Sequence, residues 1–153
     1  MTLATELEVL GHYQALLEAR FEDRLTIALD VAPAALGCLV PSLLLQPLVE
    51  NAIRHGALES VGRATVRVTV TRDANTLRIA VHDDGPGVRA GRDPLDTGTG
   101  LSATIQRLRL LYGASHAVRV GNVHDGFEVA MSFPAREGVA SPVPAVASPP
   151  SRV

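Results

Sequence analysis

The chain contains no lysine and no tryptophan, a single cysteine, and only 3% aromatic residues. Its 14 basic residues are therefore all arginines. Without lysine, and without a GxxxxGK[ST] pattern, a P-loop built on a lysine is excluded, and any side-chain contact to phosphate falls to arginine. Cys38 has no second cysteine to pair with, which fits a reducing compartment. Set among Gly37, Leu39 and Val40, it reads as a small buried hydrophobe rather than a nucleophile. No apolar run approaches the roughly 18 residues of a membrane span and no signal-peptide pattern opens the chain, so a cytoplasmic polypeptide with no membrane insertion of its own is expected. A net charge of -2 gives no reason to expect nucleic acid as a partner.

What is present suits one folded domain of 153 residues with 46% hydrophobic content. Residues 2–20 carry leucines among glutamates, with Thr5 and Glu8 at capping-box spacing, and predict a helix. His12 on it is a plain surface residue rather than a phosphoacceptor. Residues 24–31 alternate as a strand, and 31–38 form a Pro/Ala/Gly connection. A second helix is expected from about 44 to Gly56, with Pro47 in the first turn, where its missing N–H costs nothing. Residues 65–72 and 77–81 alternate around a turn at 73–75 and predict a hairpin. A polar loop at 88–97 precedes a helix over 101–112 with Leu101, Ile105, Leu108 and Leu111 as its buried stripe, stopped by Gly113. A closing hairpin is expected over 116–120 and 127–133 around a turn at 122–126. The domain is placed at 1–134, and the Ala/Pro/Ser-rich remainder, 135–153, reads as a disordered tail.

Three stretches carry chemistry. In the first, residues 43–56, Leu44, Leu45, Leu48, Val49, Ala52 and Ile53 form an apolar surface into which Glu50, Asn51, Arg54 and His55 are set. Asn51, Arg54 and His55 stand at i, i+3 and i+4 and share a helical face able to converge on one ligand. In the second, Asp83-Asp84-Gly85-Pro86-Gly87 follows a strand. It is either an ordinary turn or a site where a carboxylate accepts an exocyclic amine while glycines admit a ring close to the backbone. In the third, Gly98-Thr99-Gly100-Leu101 opens a helix whose first amides form a ready phosphate site.

Taken in order, these stretches resemble the N, G1 and G2 boxes of the ATP-binding domain shared by histidine kinases, DNA gyrase, Hsp90 and MutL. Residues 45–56, LQPLVENAIRHG, are similar to the LQPLVENAIKHG pattern of LytS-type sensor histidine kinases, with Arg54 in the Lys place. Further similarity lies in Arg20-Phe21-Glu22-Asp23-Arg24-Leu25 and in Arg107-Leu108 with Leu111-Tyr112-Gly113. The resemblance spans about residues 2–133. It implies an α/β two-layer sandwich of the Bergerat type, a mixed sheet of about five strands with about three helices on one face. It further implies binding of ATP and Mg2+. Asn51 would coordinate Mg2+, Arg54 would meet the phosphates, and His55 would sit against adenine or ribose. Asp83 would receive the adenine amino group, with Gly85 and Gly87 giving the ring room. Gly98, Thr99, Gly100 and Leu101 would hold the phosphates, and the 88–97 loop would act as the lid.

The chain departs from the family pattern at two places. Gyrase-like ATPases carry a Glu four residues before the Mg2+ Asn, where this chain has Pro47. Glu50 is the remaining carboxylate able to polarise a nucleophile, although it points about 100 degrees around the helix from Asn51. The G2 helix has Ser102-Ala103-Thr104 where the family usually has Asn. The family's phosphoacceptor His lies in a dimerisation segment upstream of the ATP domain, so transfer of the γ-phosphoryl group to a histidine outside this chain is expected. That histidine-bearing partner would pass the group to a response regulator. The chain itself, in this reading either the catalytic, cytoplasmic end of a longer sensor kinase or a free-standing domain acting on another chain, is expected to be monomeric. The rival readings are an anti-sigma-factor-like serine kinase, against which the flanks at 7–25 argue, a nucleotide-binding module without kinase activity, and an α/β domain without nucleotide.

Overall fold

The computed structural model describes residues 1–55, 62–86 and 101–138, and of His55 only the backbone. Helix α1 (Leu3–Phe21) leads through a short 3-10 turn into strand β1 (Leu25–Val31). Helix α2 (Leu45–His55) is followed by β2 (Ala64–Asp73) and β3 (Thr76–Asp83), and α3 (Leu101–Tyr112) by β4 (Ala117–Val123) and β5 (Gly126–Pro134). The strands form one sheet in the order β1-β2-β3-β5-β4. β1 pairs parallel with β2, across the crossover that carries α2, and the other three pairs are antiparallel.

Period-two alternation sorts the strands into two faces. Val66, Val68 and Val70 of β2, Leu77, Ile79 and Val81 of β3, and Phe127, Val129, Met131 and Phe133 of β5 are all buried. They meet Leu44, Leu45, Leu48, Val49, Ala52 and Ile53 from the α2 region, Leu3 and Leu10 of α1, and Leu101 and Leu108 of α3 in one core. The opposite sheet face carries Arg67, Arg78 and Arg119 in the open. The result is the expected two-layer α/β sandwich.

Several local expectations shift. The N-cap of α1 is Thr2, whose hydroxyl accepts the Thr5 amide, so the helix starts a turn before the Thr5–Glu8 pair. On α3 the buried stripe is Leu101, Thr104 and Leu108, whereas Leu111 is 53% exposed. The helix rotates the stripe onto Tyr112, whose ring stacks on Phe133 at 4.8 Å between centroids. β4 runs on to Val123, which tightens the closing turn to His124 and Asp125. Residues 135–138, placed in the tail by composition, are hydrogen-bonded: Ala135 N–H donates to the Asn75 carbonyl, and Gly138 N–H to that of Gly37.

Candidate functional site

Helix α2 is where the apolar and polar requirements of the chain meet. It packs over β2 and β3 and reaches α3. Pro47 is its third residue, so the missing amide falls among those no helix can satisfy internally. Leu44, immediately before the helix, has no side-chain oxygen to cap it. The cap comes instead from α1, where the buried Glu6 carboxylate accepts the Leu45 amide at 2.8 Å and the Leu43 amide at 3.0 Å. Sequence reasoning missed Glu6, although its position between Leu3 and Leu10, at i+3 and i+7 on one face, marked a charge inside an apolar stripe.

Among the described residues four polar or charged ones are buried: Glu6, Asn51, Asp83 and Thr104. Asn51, only 2% exposed, sits in the middle of α2, and Asp83, also 2% exposed, ends β3. These two are the residues nominated from sequence for the ion and the base. Arg54 is exposed on α2 and lines a surface groove of about 450 Å³ with Glu50, Tyr13, Leu17, Arg20 and Arg24. Glu50 faces α1, and its Oε2 accepts the Tyr13 hydroxyl at 3.3 Å. Burial first, and the Glu50 carboxylate second, push the Tyr13 phenol above its ordinary range, against a smaller opposing pull from Arg54.

The end of β3 is held from three directions. Gly85 N–H donates to Asp83 Oδ1 at 2.9 Å, a local Asx turn. The next carboxylate, Asp84 Oδ1, accepts the Thr65 amide at the start of β2. On the other side the β4–β5 turn presses against it, and a Cβ at Gly126 would lie 1.8 Å from the Asp83 carbonyl oxygen. The same turn sends Asp125 Oδ1 to within 3.0 Å of His82 Nε2. Of the remaining nominated residues, Gly87, Gly98, Thr99 and Gly100 lie outside the described residues, as does the side chain of His55. Leu101 opens α3 with its side chain buried.

The family described as "Histidine kinase-, DNA gyrase B-, and HSP90-like ATPase" matches residues 41–137, which include α2, the β3 end and α3. The chain belongs to this ATPase family. Among curated relatives, the sensor histidine kinase YpdA of Escherichia coli is 39% identical over 137 residues, covering 84% of this chain and 24% of its own length. YesM of Bacillus subtilis is 33% identical over 143 residues, covering 91% and 25%. The sensor protein LytS of the same organism is 32% identical over 146 residues, covering 88% and 25%. The chain thus spans about a quarter of the length of these relatives. Among solved structures, the histidine kinase domain of the Erythrobacter litoralis blue-light activated kinase superposes with a TM-score of 0.66 at 19% identity, over 88% of this chain and 62% of that one. The catalytic domain of histidine kinase ThkA also gives 0.66 at 12% identity, over 88% and 94%. Both establish the shared fold.

If a cation binds beside Asn51, the chemistry of that side chain would suit a small hard ion better than a soft one. Asn51 would bring a hard amide oxygen, buried in the middle of α2. An ion held by one oxygen ligand, phosphate oxygens and water is the ordinary situation for Mg2+.

Proposed function

We propose that this chain is the ATP-binding catalytic domain of a two-component sensor histidine kinase, transferring the γ-phosphoryl group of ATP to a histidine on a partner segment or protein. The observation that carries the reading is the pair of buried polar side chains, Asn51 and Asp83, on neighbouring elements of a histidine kinase-like ATPase fold. Asp83 accepts the adenine amino group, with Gly85 and Gly87 giving the ring room. Asn51 holds Mg2+, which when bound neutralises phosphate charge. Arg54 reaches the phosphates, His55 lies against adenine or ribose, and the amides of Gly98, Thr99, Gly100 and Leu101 cradle the phosphate chain. Transfer of this kind asks the protein for positioning and charge neutralisation more than covalent chemistry.

Glu50, which shares a groove with Arg54, would be the carboxylate that polarises the incoming nucleophile. The histidine-bearing partner, a response regulator beyond it, and a cytoplasmic setting belong to the same proposal. Among the described residues no helix is long and apolar enough to cross a membrane. A second reading, a nucleotide-binding module without transfer activity, is favoured by Pro47, which stands where gyrase-like ATPases carry their water-activating Glu and can do no proton chemistry.

Calorimetry of ATP and ADP binding with and without Mg2+ tests the pocket, with Asp83→Asn as the control. Binding lost in that variant supports it, and binding left intact sinks the assignment of Asp83. Transfer from labelled ATP to a supplied histidine-bearing dimerisation segment, abolished by Asn51→Ala, separates the kinase from the module.

A further inference from the structure

The junction between α1 and α2 contains a buried carboxylate for which nucleotide binding has no direct use. Glu6 is 2% exposed, and both its oxygens are taken by backbone amides just before or at the start of α2. Leu43, one of the two residues so held, has φ 56, a left-handed conformation that a side chain such as leucine rarely adopts. Its carbonyl faces α3, where Arg107 Nη2 donates to it at 3.5 Å. One strained residue is thus gripped by α1 at its amide and by α3 at its carbonyl, directly ahead of the helix that carries Asn51. A second link lies two turns along α1, where Tyr13, on the same face as Glu6, bonds Glu50, the neighbour of Asn51.

Backbone strain of this kind persists only where surrounding contacts over-determine it, and here the contacts are identifiable. An ion pair would tie side chains, which can rotate. Glu6 ties backbone, so it sets the rise and rotation of the first turn of α2, and Asn51 lies about one and a half turns further on.

We propose that Glu6 is a positioning residue for the Mg2+ site: through the Leu43 and Leu45 amides it fixes the phase of α2, and with it the aim of the Asn51 amide. The proposal rests on the reading of Asn51 as the Mg2+ ligand. Asp83 lies at the end of a strand held by β2, β5 and its own turn, so base binding does not depend on Glu6. The consequence is a split: loss of Glu6 removes the contribution of Mg2+ to ATP affinity and spares binding of the base.

The experiment measures ATP affinity of the full chain in excess Mg2+ and in EDTA, for the wild type, Glu6→Ala, Glu6→Gln and Thr2→Ala. Removing groups that orient a metal ligand ordinarily weakens metal binding by about 10- to 100-fold. Glu6→Ala is expected to lose the Mg2+-dependent gain on that scale, with affinity in EDTA within about twofold of wild type. Glu6→Gln keeps one accepting oxygen and turns an NH2 toward the other amide, so it should fall between the two. It also decides the matter alone should Glu6→Ala fail to fold, since a full Mg2+ gain in Glu6→Gln overturns the proposal. Thr2→Ala loosens the same helix without touching the Glu6 bonds and should keep the gain. Equal losses in Thr2→Ala and Glu6→Ala would mean that Glu6 is merely structural. A wild-type chain whose ATP affinity ignores Mg2+ would instead overturn the site reading itself, a result distinguishable from the others.

Discussion

Gly126 does its work by lacking a side chain. β3 and β5 pair so that Asp83 faces Phe127, and the residue before Phe127 must pass over the Asp83 carbonyl. With 1.8 Å available to a Cβ, any residue but glycine pushes the strand end that carries Asp83, the carboxylate proposed to bind the base. Gly126→Ala is expected to weaken ATP and ADP alike, with or without Mg2+, and to lower stability by about 1–3 kcal/mol, the usual range for overpacking. Calorimetry and urea unfolding would check both. Beside it, the His82–Asp125 contact holds the turn in place, and the hydrogen bond from His82 pulls the Asp125 carboxyl below the ordinary carboxylate range. A lowered folded pKa means that the contribution of Asp125 to stability is present above the unfolded value and is lost as pH falls through the folded one. A carboxyl NMR titration should find the Asp125 midpoint depressed in the wild type and moved back up in His82→Ala, which removes the donor. An unchanged midpoint would show that the contact does not form in solution. From sequence Gly126 was readable as a turn residue. Its contact with Asp83 was not, because it depends on pairing two strands separated by α3.

The elements themselves were legible because period and punctuation agreed. The bounds of α3, the strand run over 24–31 and the hairpin around Asn75 follow from alternation or stripe plus a turn residue, and the Asn51 and Asp83 stretches landed on the predicted helix and strand end. What failed was one position on α3, since Leu101 and Leu108 are buried and Ile105 packs against the core as expected, but Leu111 is exposed. A stripe drawn through apolar letters chose Leu111, while the helix buries Thr104 and turns Tyr112 onto Phe133. Hydrophobicity could not rank a threonine above a leucine there. The α1–α2 contact was equally invisible, since it consists of Glu6 and Tyr13 reaching residues 37 and more positions away. It is checkable through Tyr13. Spectrophotometric titration should find both tyrosines, Tyr13 and Tyr112, ionising above the ordinary phenol range because of burial, and Glu50→Gln should lower the Tyr13 value alone and only part of the way, since desolvation is its larger cause. The raised pKa stabilises the fold below the unfolded value, and that contribution disappears as pH rises through the folded one. At the other end of α1, Thr2→Ala should cost about 1 kcal/mol by removing the N-cap, read from thermal or urea unfolding.

On the scale of the whole molecule, the connection from β1 to α2 is covered by both ends of the described fold. Val40 N–H donates to the Met1 carbonyl and Leu3 N–H to that of Cys38, while Leu39 N–H donates to Arg136 and Gly138 N–H to Gly37. Arg72, reaching over from β2, pairs with Glu137 and bonds the Ala34 carbonyl. Cys38 is enclosed beneath these segments with no exposed surface, and burial pushes its thiol up, with Arg72 opposing and Glu137 adding to the effect. A thiol reacts as thiolate and only where reagent can reach it, so Cys38 reports on whether residues 135–138 belong to the folded unit. In the intact chain its reaction with a disulfide reagent near pH 8 should be slow. A chain ended after Gly138 should keep that slow rate, because every contact made by the closing segment is retained. A chain ended after Pro134 loses the bonds to Asn75, Leu39 and Gly37 together with the Glu137 partner of Arg72, and its Cys38 should approach the rate of a free thiol. Slow reaction in both truncations would mean that the core alone shields Cys38, and the boundary of the folded domain would then move back to Pro134.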